Sequence, residues 1–129
     1  MKIDYPNIEN PGGVPFVRLY EFQREEAQKL KQVFEALAAG TLKQVELRQI
    51  TTVESVDGTE LTFTRGEKDK GVVHTEPQRF DFSMSSEGWL RAAALTEAIC
   101  QQTYMHGYQW LAECTQAKIE LLLSTDGDW

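Results

Sequence analysis

Between Phe22 and Ala39 the apolar residues Ala27, Leu30, Val33, Phe34 and Leu37 recur at helical spacing, while Arg24, Gln28, Lys31 and Glu35 fall on the other side. Such a stripe cannot be left facing water, so the rest of the chain must supply an apolar surface for it. Gly40 follows directly, and only glycine takes the left-handed backbone that ends a helix without strain. The spacing therefore predicts a helix over 22–39 that packs on something else.

The surface it needs is written as strands. Phe16 and Tyr20 share one parity and Val17 and Leu19 the other, so Val14–Tyr20 reads as a central strand buried on both faces. Phe80, Phe82 and Met84 alternate with Arg79, Asp81 and Ser83 in a half-buried strand. Val72 and Val73 mark a short strand ended by Pro77, and Lys118–Ser124 a closing one. Val45, Leu47, Thr51 and Val53 share one parity, and a type I turn with Gly58 as a left-handed bulge residue would pair Leu61 with Val53 and Phe63 with Thr51. A second helix starts at Ser85 or Ser86 as cap and runs to about Tyr104. Trp89, Ala92, Leu95 and Ile99 form its inner side, and Glu87 with Arg91 an i,i+4 pair on its outer one.

Helices and strands do not alternate as in a doubly wound fold. The expectation is an α+β, two-layer sandwich: a mostly antiparallel sheet of about four to five strands with two amphipathic helices on one face. At 129 residues one domain is expected over 1–129. Residues 6–15 hold three of the four prolines and the pair Gly12-Gly13, which makes 1–13 a loop or flexible N-terminal arm. The expected core is Leu30, Phe34, Leu37, Leu47, Phe63, Phe82, Leu95 and Ile99, with Trp89.

Thirteen Lys and Arg stand against 20 Asp and Glu, a net charge of -7, and residues 86–129 carry two positive against six negative charges. With no Lys/Arg cluster to neutralise phosphates, nucleic acid and anionic membranes are poor partners. There is neither a signal-peptide pattern nor an apolar run of membrane-spanning length. Two cysteines, Cys100 and Cys114, are too few for a disulfide scaffold, so reduced thiols of ordinary pKa in a cytoplasmic protein are expected. Neither G-x-x-x-x-G-K nor G-x-G-x-x-G occurs, and His74 and His106 lack a ligand partner at i,i+4. No cofactor and no metal is expected.

The least routine feature is aromatic. Tyr104, Tyr108 and Trp110 crowd around His106, and the chain ends Asp126-Gly127-Asp128-Trp129. Read structurally, this is a helix cap packed on the sheet. Read functionally, Tyr104, His106, Tyr108, Trp110, Asp126, Asp128 and Trp129 form a binding surface, because Tyr and Trp offer large contact area at low entropy cost beside acidic charge. The favoured function is an acidic cytoplasmic protein-binding domain without catalytic activity, either a homodimer or an adaptor or inhibitor of a basic partner. The alternative is a small-molecule-binding protein or enzyme with a pocket between sheet and helices, built on His74 or His106 and a carboxylate.

Overall fold

A computed structural model describes residues 1–6, 15–101, 107–111 and 119–125. The chain order is β1 (Lys2–Asp4), β2 (Phe16–Tyr20), α1 (Arg24–Ala39), β3 (Gln44–Glu46), α2 (Leu47–Ile50), β4 (Glu54–Ser55), β5 (Glu60–Arg65), β6 (Gly71–Glu76), β7 (Arg79–Met84), α3 (Ser86–Cys100), β8 (Tyr108–Trp110) and β9 (Glu120–Ser124). The fold is α+β and sandwich-like, as the patterning implied. The described strands form two sheets instead of one, in the orders β4-β1-β2-β9-β8 and β3-β5-β7-β6.

Both sheets are mixed. The pairs β1–β4, β2–β9 and β5–β7 are parallel, and β1–β2, β3–β5, β6–β7 and β8–β9 antiparallel. Strand β2 lies centrally, and Phe16, Val17 and Leu19 are all fully buried, matching a strand apolar on both faces. Lys2–Asp4 are not part of a loose arm: Ile3 is buried in the core, and Asp4 accepts from Arg18 Nε at 3.0 Å and Nη2 at 2.7 Å across the β1–β2 pair. Burial of Ile3 and this two-pronged bond tie the segment to the sheet. Residues 7–14, the rest of that stretch, lie outside the described residues.

Helix α1 begins two residues later than the range 22–39 expected from its spacing. Gln23 sits at the cap with its N–H on Glu26 Oε1 at 3.0 Å, and Phe22 just before it is buried. Its end is as expected: Gly40 has φ +82° and its N–H reaches the carbonyls of Ala36 and Leu37. Ser86 Oγ donates to the Ala38 carbonyl at 2.6 Å, joining the start of α3 to the end of α1. At the start of α3, Ser85 Oγ accepts from Gly88 N–H, and Asp69 accepts from Ser85 N–H and Oγ at 2.9 and 2.6 Å.

Between the helices and the four-stranded sheet the core is a cluster of rings. Trp89 lies 5.2 Å from Phe34, 5.9 Å from Phe63 and 5.0 Å from Phe82, so both helices use the same sheet face. Ile3, Val17, Leu19, Leu121 and Leu123 of the other sheet belong to the same cluster. All the expected core residues are buried except Leu95, which is half-buried. Thr96 takes the inner position beside it, its hydroxyl bonded to the Ala92 carbonyl at 2.8 Å. Arg91 turns from Glu87 toward Asp69, 3.7 Å away, because the 66–70 loop brings a carboxylate to the helix start.

The expected register of the 45–63 hairpin is overturned. Val45, not Thr51, faces Phe63, and Glu54–Ser55 leave for the other sheet to lie parallel with β1. The strand stops because Leu47 and Ile50 are spaced for a helical turn, and Glu46 N–H is capped by Gln49 Oε1 at 2.9 Å. Leu47 is 2% exposed, so the turn buries it. Gly58 does hold positive φ, +83°, but in a turn linking the two sheets.

Candidate functional site

Among the described residues one isolated bridge joins the two sheets, from Val72 of β6 to Ile119 just ahead of β9. On the opposite side, between β4 and β5, no bridge closes the gap among the described residues, and a cavity of about 160 Å³ opens. Its floor is Ile3, Leu47, Val53 and Leu61; three of these are almost fully buried and Val53 is half-buried. Its rim carries Glu46, Glu60 and Arg48.

Backbone direction gives this seam its chemistry. The Arg65 N–H bonds the Lys43 carbonyl at 2.8 Å, whereas the Glu60 N–H bonds the Gln78 carbonyl at 2.8 Å on the opposite side of β5. By the alternation of a ladder, Leu61 therefore directs its N–H and C=O to the β3 side. Its partner there is Leu47: the Glu46–Thr62 pairing places the Leu47 N–H on the Leu61 carbonyl, and Leu47 then turns into α2, its own carbonyl accepting from the Thr51 N–H at 3.4 Å. Across the cavity, Glu54 N–H reaches the Met1 carbonyl and Val56 N–H the Ile3 carbonyl, which turns the peptide groups of Ser55 away from β1. One strand edge, that of β4, is thus turned outward beside an apolar hole.

A shallow groove on the outer face of the four-stranded sheet shares Glu46, Glu60 and Thr62 with this socket and continues it toward Glu76, Arg79 and Asp81. Four carboxylates, Glu46, Glu60, Glu76 and Asp81, meet two arginines. Arg79 Nε lies 3.0 Å from Glu60 and 3.7 Å from Glu76, and Arg48 Nε lies 2.9 Å from Glu46. Exposed pairs of this kind contribute on the order of 0–1 kcal/mol each, so a partner's cations can displace them. Asp57, in the turn below, is pushed up by partial burial, but hydrogen bonds from Thr59 and from the Tyr5 N–H outweigh this and hold its carboxyl below the usual range.

The aromatic surface read from the sequence falls elsewhere. Tyr108 and Trp110 lie on β8, with three strands separating it from β4, or about 19 Å at the usual strand spacing. Tyr108 is 49% exposed; Trp110 is half-buried, edge-on to Phe16 at 5.4 Å. Tyr104, His106, Asp126, Asp128 and Trp129 lie outside the described residues, as does Cys114. His74 stacks on Phe80 at 4.5 Å, on edge strand β6 and away from the space between sheet and helices, which the rings of Phe34, Phe63, Phe82 and Trp89 fill. Cys100 borders a groove with Lys31 and Glu97. Burial, aided by Glu97, pushes its thiol up, in place of the ordinary pKa expected. Among the described residues no three His, Cys, Asp or Glu converge as a metal set, and no helix is long and apolar enough to cross a membrane.

Compared with models of protein families, with curated proteins and with solved structures, the chain was met by no match. Its function has to be argued from its own surfaces.

Sequence reasoning missed the socket. Ile3, Leu47, Val53 and Leu61 come from four separated segments, and each reads singly as a core residue. The one local signal was the three-residue spacing of Leu47, Ile50 and Val53, which breaks the strand alternation.

Proposed function

We propose that this protein is a binding module for a protein partner with basic surface, acting through contact and not through catalysis, and that its recognition surface is the acidic outer face of the four-stranded sheet. The carrying observation is the apolar socket opening directly onto the carboxylates of Glu46 and Glu60. Acidic charge raises the encounter rate with a basic partner, and an apolar hole gives the encounter a lifetime. Among the described residues, Asp4 is engaged with Arg18, Asp69 with Ser85, Glu26 with Thr51, and His74 stacks on Phe80. The chain's excess of carboxylates suits the same partner class.

Selection from a random heptapeptide display library tests this. The parent protein should enrich Lys- and Arg-containing sequences. Enrichment should vanish for the combined variant Glu46→Gln, Glu60→Gln, Glu76→Gln, Asp81→Asn, and for the parent in about 0.5 M salt, where the Debye length is about 4 Å. Equal enrichment by parent and variant, or none by either, overturns the proposal.

A further inference from the structure

We infer that the socket and the outer groove together take one extended segment of the basic partner, laid across the strands, with a single aliphatic side chain in the socket and Lys or Arg residues over the carboxylates of the groove. This deepens the function proposed above and rests on it. Three observations converge. The hole, about 160 Å³, has room for one aliphatic side chain over a floor of Ile3, Leu47, Val53 and Leu61. The groove is continuous with it, since Glu46, Glu60 and Thr62 line both. Charge along this path is one-sided: the side chains of Glu46, Glu60 and Glu76 are 42%, 48% and 63% exposed, and with Asp81 they outnumber Arg48 and Arg79.

Sheet order then sets the spacing that the ligand needs. From Glu46 to Glu76 the groove crosses from β3 over β5 and β7 to β6, three strand spacings or about 14 Å. An extended chain advances about 3.3 Å per residue, so that path takes about four residues. The aliphatic anchor enters at one end, and its cations belong within about four positions of it in sequence. The segment runs across the strands, so side chains make its contacts and no ladder pairing is required. A fatty acid would bring a carboxylate to an acidic rim, and a lone cation would leave the apolar floor uncovered.

The test uses the whole protein and three acetylated, amidated peptides, KKLKK, KKSKK and EELEE, with binding followed at the methyl resonances of Ile3 and Val53. KKLKK offers cations in either chain direction. It should bind at least about tenfold more tightly than KKSKK and shift both sets of methyls. KKSKK should leave those methyls in place, and EELEE should not bind. Glu76→Gln with Asp81→Asn should weaken KKLKK and KKSKK by the same factor, since it alters the groove and not the socket. Val53→Phe, which fills the socket from its half-buried edge, should bring KKLKK down to the level of KKSKK. If that variant loses its fold, the methyl shifts in the parent decide alone. Equal salt-sensitive binding of KKLKK and KKSKK, or methyls that KKLKK leaves unmoved, overturns this inference while leaving the basic-partner proposal standing. No binding by any of the three at low salt, or EELEE bound as tightly as KKLKK, overturns both.

Discussion

Trp89 gives the sharpest test of the core. Its side chain is fully buried, ringed by Phe34, Phe63 and Phe82, and its indole N–H donates to the Thr64 carbonyl at 3.1 Å. Replacing it by Phe keeps one ring but removes roughly 40 Å³, which at about 24 cal/mol per Å³ of unrelaxed cavity costs about 1 kcal/mol. The lost hydrogen bond adds about 0.5–1.5 kcal/mol, so Trp89→Phe should destabilise by about 2 kcal/mol and Trp89→Ala by about 3–5 kcal/mol. Against the roughly 5–15 kcal/mol typical of a whole domain, the alanine variant should be near its stability limit. Urea unfolding followed by far-UV circular dichroism measures both, and the midpoint should fall with little change in slope. A double-mutant cycle of Trp89→Phe with Phe34→Leu should show coupling of about 0.5–1.5 kcal/mol, since the rings touch. If Trp89→Phe is within about 0.5 kcal/mol of the parent, the indole is not held as described and the helix–sheet layer is wrongly assembled.

Three further outcomes are expected. Gly58→Val should cost about 1 kcal/mol or more, because φ is +83° there, and a melting temperature equal to the parent's would show that the turn relaxes freely. Asp69 is held below the usual carboxylate range by its bonds from the Ser85 hydroxyl and N–H, against partial burial and with help from Arg91, so its contribution is present above about pH 4 and lost as pH falls through its lowered value. Asp69→Asn should therefore be about 1 kcal/mol less stable than the parent at pH 7, with the gap closing below pH 4; a gap that persists in acid would refute the charge-based account. In a Cys114→Ser background, Cys100 should react with iodoacetamide at neutral pH at least about tenfold more slowly than glutathione, since burial disfavours its thiolate, and faster reaction would mean that the groove beside Lys31 activates it.

What could be read from the chain was whatever repeats locally. Helix α1, the Ser85 cap of α3, the alternation of β7 and the doubly apolar β2 are each set by neighbours a few residues apart. The division into two sheets is not of that kind. Strands β1 and β4 have three and two residues, too few to show a period, and their parallel pairing joins Lys2 to Glu54 across half a hundred residues of chain. The hairpin failed for a related reason. Parity alone let Val53 meet Leu61, but parity cannot register that Leu47 and Ile50 also satisfy helical spacing, nor that Glu46 and Gln49 can cap each other. The aromatic cluster was conspicuous because it is contiguous, and the socket was silent because it is not.

The departure at Leu47 is also what makes a site out of a core. Had β3 continued, Leu47 and Leu61 would exchange two bonds as a full hydrogen-bonded pair, where the turn keeps only the Leu47 N–H on the Leu61 carbonyl. The one-turn helix gives up about one ladder bond, contributing on the order of 1 kcal/mol net, and offsets it by burying Leu47 and by the reciprocal cap of Glu46 and Gln49. Since Ile3, Leu47 and Leu61 belong at once to the socket floor and to the main core, anything that fills the hole is linked to folding. A ligand present at 100 times its dissociation constant and bound only to the folded protein should raise stability by about 2.7 kcal/mol.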